Sequence, residues 1–533
     1  MVRLDSSLLH IGKNRQLFFD NKIIERAQDV TRVFHTPKAE AEPLIQSDRP
    51  WEHITYFALG TYHVLRDRDG RWHCWYGVWK YDPERFAKTR DWYDLEVSFL
   101  RLAYARSSDG VHWEKPALGI HKVDGRDTNI ILGDEKLGSF YIVTPIDDPL
   151  ESDPAKRFKC VGVRCSKEIY RIEAAYSADG IHWTFYDRPP CFGTWGPYLN
   201  DEITLHVDPV SRLYVATVRS PYQGRGALDM RNPTAELNFV GPSEPGAWWK
   251  YNKRRVFQTE SPDLLHWSQP YPIFQPDEID NLDESYYGMC QTRVGDTLIA
   301  FVNLFRECEN TMHVRLAYSY DGKNWEWADQ RRTWLTSAKM SGRDWDSIMI
   351  YLGSPPIGVG DEDWVYYAGA KNHHDWFMTG CLEGIDHPEA RDMSKVGYHL
   401  GLAKMRRDGY VSLTTSPHRE GIMVTRPCFM EGNRIVLNAK TAADGFVGVE
   451  VRDENAQAVT GYSREEFDTF RGDSVRHVCT WKGRAQAEFR GYYKLIFTMR
   501  KAELYSFQST DDPSDPSSVD GDLSRKLSVR KWE

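Results

Sequence analysis

Short apolar runs with β-like patterning, broken by Gly, Asp, Asn and Pro, recur from about residue 40 to about residue 415. Four of them lead into near copies of one stretch: "SSDGVHW" at 107–113, "SADGIHW" at 177–183, "SPDLLHW" at 261–267 and "SYDGKNW" at 319–325. The lead-in runs are "FLRLAYARS", "YRIEAAYS", "RRVFQTES" and "VRLAYSY", and a short outgoing run begins at each Trp. Asp-Gly between two such runs predicts a hairpin, because Gly accepts positive φ and the Asp side chain bonds nearby amides. The Trp is expected to pack between adjacent sheets. A degenerate fifth copy, "LGLAKMRRDGYVSL", ends near residue 415.

Ahead of each hairpin lies a second β-like pair, as in "EITLHVDPVSRLYVATVRS" and "SYYGMCQTRVGDTLIAFVNLF". A unit repeated at intervals of this size cannot bury its own apolar face and stacks on its neighbours. Five units of four antiparallel strands, innermost strand first, predict an all-β chain built on a five-bladed β-propeller over 40–417. From 418 to 510 the runs alternate at period two between Gly, Asn and Asp turns, which predicts a small antiparallel β-sandwich. Residues 1–39 are expected to pack on the propeller or on the sandwich. The stretch 511–533 is rich in Ser, Asp and Pro and reads as a disordered tail.

Composition narrows the partners. A net charge of −9 with no basic stripe argues against nucleic acid or an anionic membrane. No apolar run nears the ~20 residues that span a bilayer, and no secretory signal opens the chain, so a soluble, cytoplasmic protein is expected. Nine cysteines without a C-x-x-C pair read as mostly buried free thiols. With 19 Trp, 28 Tyr and 23 Phe, some rings remain as candidates for stacking on a ligand once the sheets are packed.

The hairpins, the blade openings and the domain behind the propeller resemble the propeller glycoside hydrolases of the family 32 and family 43 group, most closely the bacterial proteins similar to the family 32 N-terminal domain. The resemblance implies an exo-acting glycoside hydrolase that releases a terminal sugar from an oligosaccharide or glycoside, with a furanoside suggested by the group itself. The chain departs from family 32 in having no W-M-N-D-P-N-G match in its first blade, and "RECEN" at 306–310 falls in the fourth blade where the family carries its E-C pair in the third. The turn is also similar to the sialidase Asp-box, but here Gly follows Asp directly, and neither six blades nor an arginine triad can be built from the sequence.

Glycoside cleavage commonly uses two carboxyl groups, one protonating the leaving oxygen and one acting on water or on the sugar carbon. In a propeller they would project from the start of the innermost strands. "LNDEITLHVDP" sets Asp201 and Glu202 there in blade 3, one of the two facing the axis because neighbouring strand residues point to opposite faces. Glu202 resembles the family 43 general acid by position. In blade 1, Glu52 between Trp51 and His53 could be base or nucleophile, or a loop carboxylate in a salt bridge. Asp147 and Asp148 in "TPIDDP" resemble the second-blade Asp of family 43, or form a turn before Pro. Asp148 or Glu284 would support the acid. Arg306, Arg343, Trp345 and Asp346 could bind hydroxyls and stack on a ring face. "NHHDW", with His373, His374 and Asp375, suggests a metal only weakly, since adjacent histidines on extended chain diverge. No cofactor is called for, although axial carboxylates would suit a structural calcium. The alternatives are a non-catalytic carbohydrate-binding propeller and a glycoside phosphorylase.

Overall fold

The computed structural model describes residues 8–512 apart from 196–201, 221–253, 338–343, 379–386, 487–488 and the single positions 59, 90, 92, 168, 282 and 307. Five antiparallel units follow one another among these residues, and each begins at its innermost strand. The first runs from Ile54–Tyr56 and Tyr62–Arg66 through Trp72–Tyr81 and Ser98–Ser107 to Trp113–Glu114. The second pairs Ser139–Val143 and Ile146–Asp147 with Phe158–Cys165, then Tyr170–Ser177 and Thr184–Phe185. The third comprises Ile203–Asp208, Leu213–Ser220, Arg255–Ser261 and Tyr271–Phe274, and the fourth Glu284–Val294, Thr297–Arg306, Thr311–Ser319 and Glu326–Trp327. In the fifth, Met349–Tyr351 and Ile357–Val359 pair with Glu362–Ala370, which pairs with Tyr398–Arg406.

Hydrogen bonds between neighbouring units close these sheets into a ring. Leu100 N donates to Ser139 Oγ (3.1 Å), Thr144 Oγ1 to the Ile203 carbonyl (2.9 Å), Thr204 Oγ1 to the Met289 carbonyl (2.8 Å), Asn303 Nδ2 to the Leu352 carbonyl (3.1 Å) and Tyr62 Oη to the Tyr351 carbonyl (3.0 Å). The sequence 1–2, 2–3, 3–4, 4–5 and 5–1 is therefore complete, as a five-bladed propeller requires.

The repeated turns form as their chemistry dictates. Asp109 Oδ1 accepts from the amides of Val111 and His112, and Ser107 Oγ accepts from Gly110 N. Gly110, Gly180 and Gly322 all have φ between +73° and +79°. Their carbonyls do a second job, each accepting a side-chain donor from the preceding sheet: Tyr366 Oη on Gly110 (2.9 Å), Trp75 Nε1 on Gly180 (2.7 Å) and Gln258 Nε2 on Gly322 (3.1 Å). The third copy departs in that buried Leu264 holds the positive-φ position, although its carbonyl accepts from Trp267 of the same turn as those of Gly180 and Gly322 do from Trp183 and Trp325. Trp113 and Trp325 meet rings of the preceding sheet, Tyr366 and Phe274.

A test separates the turn from its packing. A Cβ on Gly110 would lie 2.6 Å from Tyr366 Oη and 2.9 Å from Trp72, whereas on Gly322 it would meet only Leu298 Cδ1 at 3.1 Å. Gly322→Ala should cost about 1 kcal/mol for its positive φ, and Gly110→Ala about 1–3 kcal/mol more for overpacking. Thermal unfolding of the two variants side by side should give the lower midpoint to Gly110→Ala.

The fifth hairpin is corrected. Asp408 is buried against Arg15, its amide donates to Asp363 Oδ2 (2.8 Å), and it does not cap a turn of its own. Val411–Thr415 therefore leaves the fifth sheet and pairs with Val30–Phe34 and with Leu504 and Glu503. The outer strand of the fifth sheet is Lys38–Ala39, antiparallel to Ala403 and Lys404.

Beyond the ring, one ten-stranded sheet is built on two twenty-residue strands, Arg434–Asp453 and Gly491–Thr510, which pair along their length with a register break between Thr441 and Phe446. Val411–Thr415, Gly421–Thr425, Cys428–Met430 and Asp473–Val478 join them, and Leu9–Gly12, Gln16–Leu17, Ile24–Gln28 and Val30–Phe34 complete the ten, so residues 9–39 serve both bodies. The eight described cysteines are free, and six are buried. Among the described residues no helix is long and apolar enough to cross a membrane.

Candidate active site

All five inner strands start at one end of the ring, here termed the leading end, and the Ser-x-Asp turns lie at the other. Asp147 and Asp148 close the inner strand of the second sheet beside Phe158 and Ser177, which places them at the trailing end, away from Glu202 and Glu284. Asp148 is buried, accepts from Tyr214 Oη (2.5 Å) and Leu150 N (2.8 Å), and pairs with Lys159 (2.8 Å). Asp147 pairs with Arg68 and Arg157. Both are ion-paired ties between sheets.

Other acids singled out in the sequence are turned outward. Glu52 Oε2 accepts from Asp48 N and Arg49 N (3.1 Å each) and from Lys115 Nζ (2.7 Å), and Oε1 accepts from Tyr76 Oη (2.6 Å). Lys115 follows the outermost strand of the first sheet, so this carboxylate sits toward the outside of the sheet. Trp51 donates to Asn129 Oδ1 (2.9 Å), beside the same cluster, and His53 is exposed. Partial desolvation of the ring where it meets the sheet, and then the charges of Lys80 and Arg101, lower the pKa of His53. Glu284 Oε1 accepts from Arg315 and Asn281 at 3.0 Å, and Arg306 divides itself between Asp283 and Glu284. Asp346 accepts from Tyr367 Oη (2.9 Å), while Trp345 stacks on Tyr367 and donates to the Ala41 carbonyl. Asp201 and Arg343 lie outside the described residues.

Glu202 is different. Its Oε1 lies 2.6 Å from where a Cβ of Gly60 would be, and its Cγ 2.5 Å from the corresponding point on Gly288. Gly60 belongs to the first sheet and Gly288 to the fourth. These two sheets are not neighbours in the ring, so a side chain from the third that touches both lies at the axis. The two glycines leave it room, and its own side chain is buried.

A bulge explains the group that stands beside it. The fourth inner strand pairs Tyr286 with Leu304 and Gly288 with Asn303, leaving Tyr287 as the extra residue. Bulges re-aim side chains, and Tyr287 is aimed toward the neighbouring fifth sheet, where its hydroxyl donates to His374 Nε2 (2.8 Å) in the turn after Glu362–Ala370. His374 Nδ1 donates to Asp375 Oδ1 (2.6 Å), which fixes the tautomer. Asp375 in turn accepts from Asn310 Nδ2 (2.6 Å), and its amide donates to Asn310 Oδ1 (2.6 Å). Burial works to raise the Asp375 carboxyl, but its pairing with His374, then the charge of Arg254 and the hydrogen bond from Asn310, outweigh it and hold it well below the usual range. Arg219 stacks over the Tyr287 ring at 4.3 Å, with Arg254 at 5.2 Å. The buried Tyr351 hydroxyl, on a ring edge-on to Tyr287, has no hydrogen-bond partner among the described residues.

The arrangement thus holds a hydroxyl on a base, the base on a carboxylate, and a second carboxyl group one residue from the hydroxyl's strand position. Sequence reasoning placed Glu202 at the start of an inner strand, named His374 and Asp375 only as a weak metal candidate, and did not single out Tyr287, Arg219 or Arg254. The available signal was the glycine after paired aromatics in "ESYYGM", inside a run that reads as a continuous strand.

No protein-family model and no curated protein matches the chain. Solved structures do. One is a glycoside hydrolase family 43 arabinoxylan arabinofuranohydrolase from Bacillus subtilis, in complex with cellotetraose, at 12% identity over 90% of this chain and 99% of that one, with a TM-score of 0.36. Another is a family 32 β-fructofuranosidase from Bombyx mori, at 10% identity over 89% and 94%, with a TM-score of 0.37. A third is a glycosyl hydrolase from Bacteroides ovatus, at 13% identity over 74% and 96%, with a TM-score of 0.41. These likenesses concern the course of the chain, and the chemistry is read from the site's own residues.

Proposed function

We propose that the protein is a glycoside hydrolase in which Glu202 is the acid–base group and Tyr287 the nucleophile, activated by His374 and Asp375. The observation that carries this reading is the chain Asp375–His374–Tyr287 (2.6 and 2.8 Å), with the axial Glu202 packed against Gly288, the residue after Tyr287. A nucleophile on a base that is itself oriented by a third group is the general signature of covalent catalysis, and tyrosine is a known substitute for the second carboxylate in glycosidases. In the first step Tyr287 Oη attacks the anomeric carbon as His374 Nε2 takes its proton, and the glycosidic bond breaks as Glu202 protonates the leaving oxygen. In the second step Glu202, now ionised, takes a proton from water. The water oxygen bonds the anomeric carbon, and Tyr287 leaves and recovers its proton from His374. Arg219 and Arg254 over the ring favour the phenolate character of the leaving and attacking oxygen. An axial site at one end of the ring suits the terminal sugar of a chain.

The test is a panel of nitrophenyl pyranosides and furanosides, followed by a 2-fluoro analogue of whichever sugar is cleaved. Turnover of one glycoside class is expected, with the fluorosugar recovered by peptide mass spectrometry on Tyr287. Label on a carboxylate instead would remove tyrosine from the mechanism. Glycan binding without turnover would make this a binding propeller, and cleavage only in the presence of phosphate would make it a phosphorylase.

A further inference from the structure

We propose a divalent-metal site formed by His373, His387 and Glu389, separate from the Tyr287–His374–Asp375 chain. One donor atom from each of the three residues lies within 4.8 Å of the others. His373 and His374 are adjacent where the chain turns after the strand Glu362–Ala370, and they diverge: His374 reaches inward to Tyr287, and His373 turns to Glu389, with Nδ1 to Oε1 at 3.0 Å. The rings of His373 and His387 lie parallel, 4.2 Å apart. Glu389 sits in the short turn Pro388–Ala390, directly after His387, so one turn delivers two donors to a third that follows the strand Glu362–Ala370.

The single His373–Glu389 contact does not account for the cluster. Glu389 is 4% exposed, yet its second oxygen has no hydrogen-bond partner among the described residues, and neither does the buried Nε2 of His387. An orphaned buried polar atom is costly; Glu389 Oε2 is an acceptor, and so is His387 Nε2 when the ring proton sits on Nδ1. A cation accepting both electron pairs removes both penalties. Two imidazoles and one carboxylate are the donors of zinc and its first-row neighbours, whereas calcium and magnesium take oxygen. Metal–ligand bonds of about 2.0–2.2 Å need donors roughly 3–3.5 Å apart, which small side-chain rotations reach from 4.8 Å. Three protein ligands leave a fourth position for water. The inference does not depend on the hydrolase reading, since none of the three side chains belongs to the proposed reaction.

The experiment is titration of chelator-treated, full-length protein with Zn2+ by calorimetry and with Co2+ by visible absorption. Wild type is expected to take up one Zn2+ per chain and to show cobalt d–d bands. Glu389→Gln and His387→Asn should each weaken Zn2+ binding by at least about tenfold and abolish the bands, while His112→Ala, an exposed histidine elsewhere, should change neither. Circular dichroism establishes that each variant is folded, and the two ligand substitutions guard against one failing to fold. Equal uptake by wild type and both ligand variants, or no uptake by wild type, would overturn the proposal whatever the outcome with glycosides.

Discussion

Tyr287→Phe is expected to cut kcat on the cleaved glycoside by about 10³-fold or more, the scale on which loss of a nucleophile acts when its partners remain. The fold should survive. Phenylalanine keeps the ring under Arg219 and its edge contacts with Phe305 and Tyr351, and loses only the hydroxyl bonded to His374 Nε2. His374→Ala should cost about 10²–10⁴-fold, the range for general base catalysis. Because the two act as a unit, Tyr287→Phe combined with His374→Ala should fall little below the worse single variant. Glu202→Gln should fail on ordinary glycosides but recover part of its rate on dinitrophenyl glycosides, whose leaving group needs no proton, and its rate should lose the decline that deprotonation of the acid causes at high pH. Retention of activity within tenfold by Tyr287→Phe would sink the tyrosine mechanism.

Glu52→Gln should do the reverse, lowering stability by about 3 kcal/mol and leaving the turnover of folded molecules nearly unchanged. Glu52 and Lys115 are buried together, with side chains 0% and 5% exposed. Removing one partner of a buried pair leaves the other charge without its full compensation, at about 3–5 kcal/mol. The lower end applies because Asp48 still reaches Lys115 at 2.8 Å. Glutamine also loses acceptor capacity toward the amides of Asp48 and Arg49. A urea midpoint shift with an unchanged active-site-titrated kcat is the expected pair of readings. Lost turnover at unchanged stability would return Glu52 to the chemistry.

The contrast between these two residues shows what the chain discloses locally. The four turns are legible because Ser, Asp and Gly satisfy amides within the same few residues, so spacing alone determines them. Glu52 looked catalytic because position along a strand is legible, whereas its partner Lys115 arrives after the outermost strand of the same sheet. Glu284 is read in the same way and is claimed by Arg315 from the third strand of its sheet. Tyr287 escaped notice because a bulge is set by the pairing of two strands and leaves no period in one. The fifth hairpin misled for a related reason: Asp408 has the right sequence neighbours, but Arg15, from the opposite end of the chain, occupies it.

The pairing of Lys38–Ala39 with the fifth sheet, and of Val30–Phe34 with Val411–Thr415, also dictates an order of assembly. These strands are synthesised more than 360 residues ahead of their partners. At about 5–20 residues per second of translation, they wait on the order of tens of seconds with bare edges that invite association with other chains. The first four sheets can form as they emerge, while the fifth cannot be finished before Tyr398–Arg406 has emerged, nor the ten-stranded sheet before Gly491–Thr510. A nascent chain stalled before residue 400 is therefore an open arc whose two ends have nothing to hold.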